Sequence, residues 1–397
     1  MKPASLLAGS KLILVLALAV GTASLIAPRA QAQTFSVVHS FTGGSDGSNP
    51  LNGFILDASG NLYGTASSGG AYNSGVVFKV TEKGKEIQLY PFTGGVDGGG
   101  PNGSLIRTAN GVLYGTTTAG GASGAGTVFK VVGKKETVLY SFTGGADGGD
   151  PQAGLTADAA GNLYGTTSSG GATGNGTVFR LSLPKDGKRT ETVLYSFGGG
   201  TDGATPVGGV SFDAAGNLYG TTSAGGAYGL GTVFQLEAGE NWKENILHSF
   251  EDGNDGAVPY AGLIPDKAGN FYGAATEGGS NGGGTVFELT PSNGSWTFNI
   301  IYSVPGWGIS GSFRDLVLDG AGNIYATTHC DGEYNSGTVY ELTPSGSSWT
   351  YTLLYAFTGG SDGLYSFSNL VLNQGKLYGT TKYGGEYSNG VIFEVTP

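Results

Sequence analysis

The chain has 397 residues, with 77 glycines, a single cysteine, and 30 acidic against 19 basic residues for a net charge of −11. The lone Cys330 excludes an internal disulfide framework. The acidic balance argues against nucleic acid or anionic lipid as partner, and favours cations or neutral ligands.

Residues 1–32 read as a secretory signal peptide. Lys2 and Lys11 flank or precede an apolar run over 12–20 that is too short to span a bilayer, and Ala30-Gln31-Ala32 offers small residues where a signal peptidase reads. Cleavage is expected after Ala32. It removes Lys2, Lys11 and Arg29 and no acid, leaving 16 basic against 30 acidic residues, or −14. No cysteine follows the run and a strand-like segment precedes Pro397, so neither a lipid nor a C-terminal anchor is expected. The expectation is a monomer, secreted or periplasmic, with no membrane insertion after cleavage.

Behind the signal lies a strand at 35–41, and then one unit is written seven times. Its central tyrosines are Tyr63, Tyr114, Tyr164, Tyr219, Tyr272, Tyr325 and Tyr378, 50 to 55 residues apart. In the third unit a short strand (154–158) is followed by a turn, a second strand (163–167), a glycine-rich loop (168–176) and a third strand (177–181). A polar loop (182–190) then leads to a fourth strand (192–197). The runs are rich in β-branched and aromatic residues and bounded by Gly, Asn, Asp or Pro, and no sustained 3.6-residue period predicts a helix.

The turn before the second strand reads Asp-x-x-Gly-Asn at Asp57, Asp158, Asp213, Asp266 and Asp319, where the aspartate caps and the glycine supplies a positive φ. Thr108 stands there in unit two, and unit seven has Asn373 in a turn one residue shorter. The glycine after most of the tyrosines (Gly64, Gly115, Gly165, Gly220, Gly273, Gly379) is expected to let neighbouring backbone approach closely.

Four antiparallel strands repeated seven times predict an all-β fold, a seven-bladed β-propeller over residues 33–397. Fourth-type strands end at Phe41, Phe92, Phe142, Phe197, Phe250, Val304 and Phe357, while the chain finishes on a third-type strand at 390–395. The first strand is therefore expected to complete the last blade, closing the ring and hiding its edges.

In such a ring the 4–1 and 2–3 loops share a face. That face would carry Gly-Gly-x-Asp-Gly segments with Asp46, Asp97, Asp147, Asp202, Asp255 and Asp362, and Ser-Gly-Gly loops with Tyr72, Tyr228, Tyr334, Tyr383 and Tyr387. Basic residues such as Lys83, Lys85, Lys134, Lys135 and Arg189 would lie opposite. Either each aspartate bonds its own loop, or several converge on a Ca²⁺. One carboxylate per blade matches a calcium loop poorly, so no cofactor is expected. The tyrosines could stack on sugar rings.

Unit six departs most from the pattern, and departures mark candidate sites. Its loops bring Trp307, Arg314, His329, Cys330, Asp331, Glu333 and Tyr334 to one face. A hydrolase or lyase reading uses His329 as base, Asp331 or Glu333 as its orienting partner, and Arg314 as electrostatic stabiliser. The alternative is a degenerate repeat. His39 and His248 replace the fourth-strand tyrosine (Tyr90, Tyr140, Tyr195, Tyr302, Tyr355) and read as packing variants.

The unit Gly-Asn-Leu-Tyr-Gly-Thr-Thr, then Gly-Gly, then Gly-Thr-Val-Phe, best seen at 161–179 and 216–234, resembles the GloVer tandem repeat of exported bacterial proteins. The resemblance covers essentially all of residues 33–397. It implies export and, in other members, a surface anchor; it implies no catalytic residues. The sequence thus favours a non-catalytic binding module for polysaccharide or a surface protein, with Tyr72, Tyr228, Trp307, Tyr334, Tyr383 and Tyr387 as contacts. A propeller enzyme acting on glycans or a small molecule at blade six is the alternative.

Overall fold

The Asp-x-x-Gly-Asn turn organises the start of each blade. Asp57 accepts hydrogen bonds from the backbone of Ser59 (2.9 Å) and Asn61 (3.0 Å), from the Asn61 amide, and from the Tyr63 hydroxyl (3.0 Å), while Gly60 sits at φ +74°. The same set recurs around Asp158, Asp213, Asp266 and Asp319. One carboxylate therefore holds the turn and fixes the repeated tyrosine.

The computed structural model describes residues 33–183, 189–251, 253–306 and 316–397. The signal segment 1–32 and the candidates Trp307 and Arg314 lie outside them. Among the described residues the fold is all-β, a seven-bladed β-propeller whose one helical element is the 3₁₀ turn Gly200–Asp202. Blade 1 consists of Ile55–Leu56, Leu62–Ala66, Val76–Val80 and Glu86–Pro91, paired antiparallel in that order. Blades 2 to 6 repeat this pattern.

Thr34–Ser40 pairs antiparallel with Val391–Thr396, from Thr34 opposite Thr396 to Ser40 opposite Val391. The N-terminal strand thus completes blade 7. Inside that blade the innermost position is split: Leu364–Ser366 and Val371–Asn373 both pair with Lys376–Tyr383, a fifth strand that the repeat did not predict. Ser366 explains it, because the equivalent Pro50, Pro101, Pro151, Pro206 and Pro259 have no N–H to pair.

Aromatic rings fill the blade interiors. Third-strand Phe78, Phe129, Phe179, Phe234, Phe287, Tyr340 and Phe393 and fourth-strand Phe41, Phe92, Phe142, Phe197, Phe250 and Phe357 are all fully buried. Burial of each contributes about 1.5–3 kcal/mol. The glycine after the repeated tyrosine serves this packing. A Cβ on Gly115 would stand 2.7 Å from the Phe129 ring and 2.8 Å from Leu105. The expected close approach is thus of an aromatic ring, not of neighbouring backbone.

Each fourth strand carries a β-bulge at the same place: Val77 pairs with Tyr90 but Phe78 with Gln88, leaving Leu89 extra. Leu139, Leu194, Leu247, Ile301, Leu354 and, in the N-terminal strand, Val38 occupy the same position. The bulge shifts the two-residue alternation by one. Glu86 and Tyr90, four apart, therefore face opposite neighbours: Tyr90 joins the core shared with blade 2, and Glu86 turns toward Asp46.

Near the axis, blades are linked in one direction. The second-strand threonine donates to a backbone carbonyl of the next blade: Thr116 to Ala153 (2.8 Å), Thr166 to Gly208 (2.9 Å), Thr221 to Ala261 (2.7 Å) and Thr327 to Ser368 (3.4 Å). Thr380 makes the same link from blade 7 to Pro50 of blade 1 (3.0 Å), whereas Thr65 of blade 1 makes none and blade 5 carries Ala274 there.

Candidate functional site

The 4–1 and 2–3 loops share one face, tied by isolated bridges such as Gly99–Ala119, Gly149–Ser169 and Ala204–Ala224. In this frame the six loop aspartates are each used locally. Asp97 accepts from the Thr93 backbone (2.9 Å), the Thr93 hydroxyl and the Tyr90 hydroxyl (3.0 Å). Asp147 and Asp362 repeat the set, and Asp202 bonds Tyr195 and the Gly198 backbone. Among the described residues no three His, Cys, Asp or Glu side chains are grouped to hold a metal ion.

His39 and His248 are more than packing variants. Their Nε2 atoms lie 3.1 Å from Asp46 and 2.8 Å from Asp255, reproducing the tyrosine–aspartate bond seven residues along. The sequence carried that signal as a fixed spacing between two residue types that both reach a carboxylate.

Across each seam, the residue turned the other way by the bulge meets this pair. In the upper half of the ring order it is aromatic: Phe298 stacks on His248 (3.7 Å), Tyr351 on Tyr302 (5.0 Å) and Phe35 on Tyr355 (3.8 Å). In blades 1 to 4 it is Glu86, Glu136, Glu191 or Glu244, each with a buried Oε1 that lacks a hydrogen bond. Burial, then the charge of the preceding aspartate, pushes each of these carboxyls up to about 7. Their folded-state affinity for protons exceeds that of the unfolded chain, so stability falls as pH rises from the ordinary glutamate range through about 7. The opposite dependence comes from Asp57: burial raises its pKa, but bonds from Asn61, Tyr63 and Ser59 outweigh this and bring it to about 2, so its contribution is lost as pH falls below about 4. Glu136→Gln should raise the melting temperature at pH 8 and flatten its decline from pH 5 upward; an unchanged slope in thermal scans across that range would contradict the assignment.

Tyr72 (59% exposed), Tyr334 (50%) and Tyr387 (49%) occupy the same position in the 2–3 loops of blades 1, 6 and 7, which are consecutive around the closed ring. Tyr228 holds that position in blade 4, and Tyr383 is exposed on the blade 7 loop. In blade six, Asp331 and His329 meet different described neighbours. The Thr328 hydroxyl donates to Asp331, whose half-buried carboxyl has its pKa raised by desolvation, and whose charge acts on Tyr302, Tyr340 and Tyr351. Asp331 thus turns into the blade. The His329 ring instead lies 4.4 Å from both Tyr365 and Phe367. Glu333 is exposed, and Cys330 is partly buried.

Sequence reasoning missed Tyr365, Phe367 and Lys382. The Lys382 ammonium lies 5.3 Å from the Phe367 ring and 4.9 Å from that of Tyr383, an aromatic patch of blade 7 that His329 of blade 6 meets through Phe367. The signal was present: Tyr365-Ser366-Phe367 breaks the repeat as clearly as the blade six loops do. Among the described residues, the axial channel offers little room. Its cavity of about 130 Å³ is lined by Ser104, Gly154, Gly209, Gly262 and Asn369, with the Asn369 amide 3.5 Å from the Ser104 hydroxyl across it.

Among solved structures, the chain is similar to the extracellular domain of a candidate hybrid two-component system from B. thetaiotaomicron, with TM-score 0.61 and 12% identity over 92% of this chain and 39% of that one. It thus spans about two fifths of that protein's chain. It is also similar to a polysaccharide lyase, an ulvan lyase (TM-score 0.52, 11% identity, 89% of this chain and 94% of that one). A puromycin hydrolase gives TM-score 0.56 at 11% identity, over 85% of this chain and 50% of the other. At these identities the likeness is one of fold. No curated protein matches the sequence. No helix among the described residues is long and apolar enough to cross a membrane. The Gloeobacter/Verrucomicrobia repeat matches residues 19–234, 131–312 and 209–397, and the chain belongs to that repeat family.

Proposed function

We propose that this propeller is an exported, non-catalytic binding module that recognises polysaccharide on its tyrosine-bearing face. The observation that carries the reading is the recurrence of an exposed tyrosine at one loop position in blades 6, 7 and 1. Solvent-exposed aromatics gathered on one face are an interaction signal, and tyrosine offers an apolar ring for a sugar's C–H face with a hydroxyl for its edge. The aromatic patch of Tyr365, Phe367 and Tyr383 adjoins the same blades. Export accords with the signal-like segment at residues 1–32.

A glycan array probed with residues 33–397 should show binding that Tyr387→Ala and Tyr72→Ala each weaken several-fold. Unchanged signal in both variants would remove the tyrosines from recognition. Capture of a surface protein, with no glycan bound, would replace polysaccharide by a protein ligand. The enzyme alternative at blade six receives less support, because Asp331 is engaged with Thr328 rather than with His329.

A further inference from the structure

A second concave surface lies between blades 4 and 5, on the side where the third and fourth strands meet, away from the tyrosine loops. The blade 5 hairpin, Gly282–Ser292 and Ser295–Pro305, turns at Asn293 and Gly294, both with positive φ. It reaches farther than blade 4's strands Thr232–Glu237 and Lys243–Ser249, and overhangs a groove of about 710 Å³. That volume falls in the range of small-molecule sites.

Its lining is uncharged, in a protein of net −14 after signal removal. The comparable grooves at blades 5–6 and 7–1 include Asp266, Lys267 and Asp319, and Glu82, Lys376 and Glu394. One position on the third strand contributes to the difference. Opposite the repeated tyrosine, the third strand carries Lys79, Lys130 and Arg180 in blades 1 to 3 and Glu288, Glu341 and Glu394 in blades 5 to 7, but Gln235 in blade 4.

Gln235 donates to the Tyr219 hydroxyl (2.6 Å) and accepts from the Asn245 amide (3.3 Å). The Asn245 carbonyl and one N–H of each amide remain for a ligand. Trp296, held by ring contacts with Tyr219 (5.4 Å) and Phe271 (5.8 Å), supplies an indole beside them. Paired amides suit vicinal hydroxyls, an indole suits a pyranose face, and an uncharged wall suits a ligand without ions. We propose that this groove binds a neutral oligosaccharide, independently of the tyrosine face.

The test is calorimetric titration of residues 33–397 with cellohexaose, xylohexaose, mannohexaose and laminarihexaose. At least one should bind, and Gln235→Glu should weaken it tenfold or more, because a half-buried carboxylate offers the sugar an acceptor where the amide offered a donor. Asn245→Asp serves as the second variant, and melting temperature checks that both fold. Tyr387→Ala should leave this binding intact. Absence of binding by all four sugars at millimolar concentration overturns the proposal. So does binding that Tyr387→Ala abolishes while Gln235→Glu and Asn245→Asp leave it unchanged, an outcome under which the tyrosine face alone survives as a site.

Discussion

Removing residues 33–41 should destroy the closed ring. The deletion strips the partner from Val391–Thr396 along its whole length, from the Thr34–Thr396 pair to Ser40–Val391. It also removes the Phe35 ring stacked 3.8 Å from Tyr355 and the fully buried Phe41. Lost burial of Phe41 alone costs about 3–5 kcal/mol, comparable to a sizeable part of the stability of an ordinary domain. The bare edge strand Val-Ile-Phe-Glu-Val then presents unpaired backbone to other chains. Size-exclusion chromatography should show aggregate in place of the species that residues 33–397 form. A circular permutant that begins at Thr42 and carries residues 33–41 after Pro397 on a short glycine linker should restore that species and most of the melting temperature. Failure of that permutant would mean that the strand acts through something other than pairing.

Gly115→Ala should destabilise the protein, against the usual sign. In a strand interior this substitution ordinarily stabilises by roughly 0.5–1 kcal/mol, because alanine has less backbone freedom to lose. Here the added Cβ would stand 2.7 Å from the Phe129 ring and 2.8 Å from Leu105, both buried. Overpacking of this kind costs about 1–3 kcal/mol, so the net effect should be a loss of about 1 kcal/mol. Phe129→Leu makes room, so the double variant should lose less than the sum of the two single losses, measured by denaturant unfolding. Additive losses would show that the ring is not what meets residue 115.

The fold was legible because each blade repeats its own local chemistry. The Asp57-type turn, the tyrosine it holds and the Thr-Val-Phe strand are written within a few residues of one another, so periodicity exposes them directly. Blade number and closure followed from counting fourth-type strands. What escaped was whatever depends on two blades at once. Glu86 and Tyr90 lie four apart and read as sharing a face, until the bulge at Leu89 sends them to different neighbours. Phe298, Tyr351 and Phe35 do not look like substitutes for glutamate until they are seen stacked on the preceding blade. The candidate site was legible in the same measure. The exposed tyrosines were found from loop position, whereas the inward turn of Asp331 depends on Thr328 and on a buried cluster of tyrosines that no spacing announces.

The threonine-to-carbonyl links near the axis have a consequence for how such chains change length. Each link, as from Thr166 to Gly208, involves only one blade and its successor, and none refers to the total. A tandem duplication of one unit would therefore satisfy every bond of this kind as well as the present chain does. Seven blades also require a particular angle between neighbouring sheets, to which side-chain bulk at the seams contributes. Ring size in this architecture is thus a matter of curvature, and repeat number can drift until the aromatic or glutamate residues at the seams no longer close the circle.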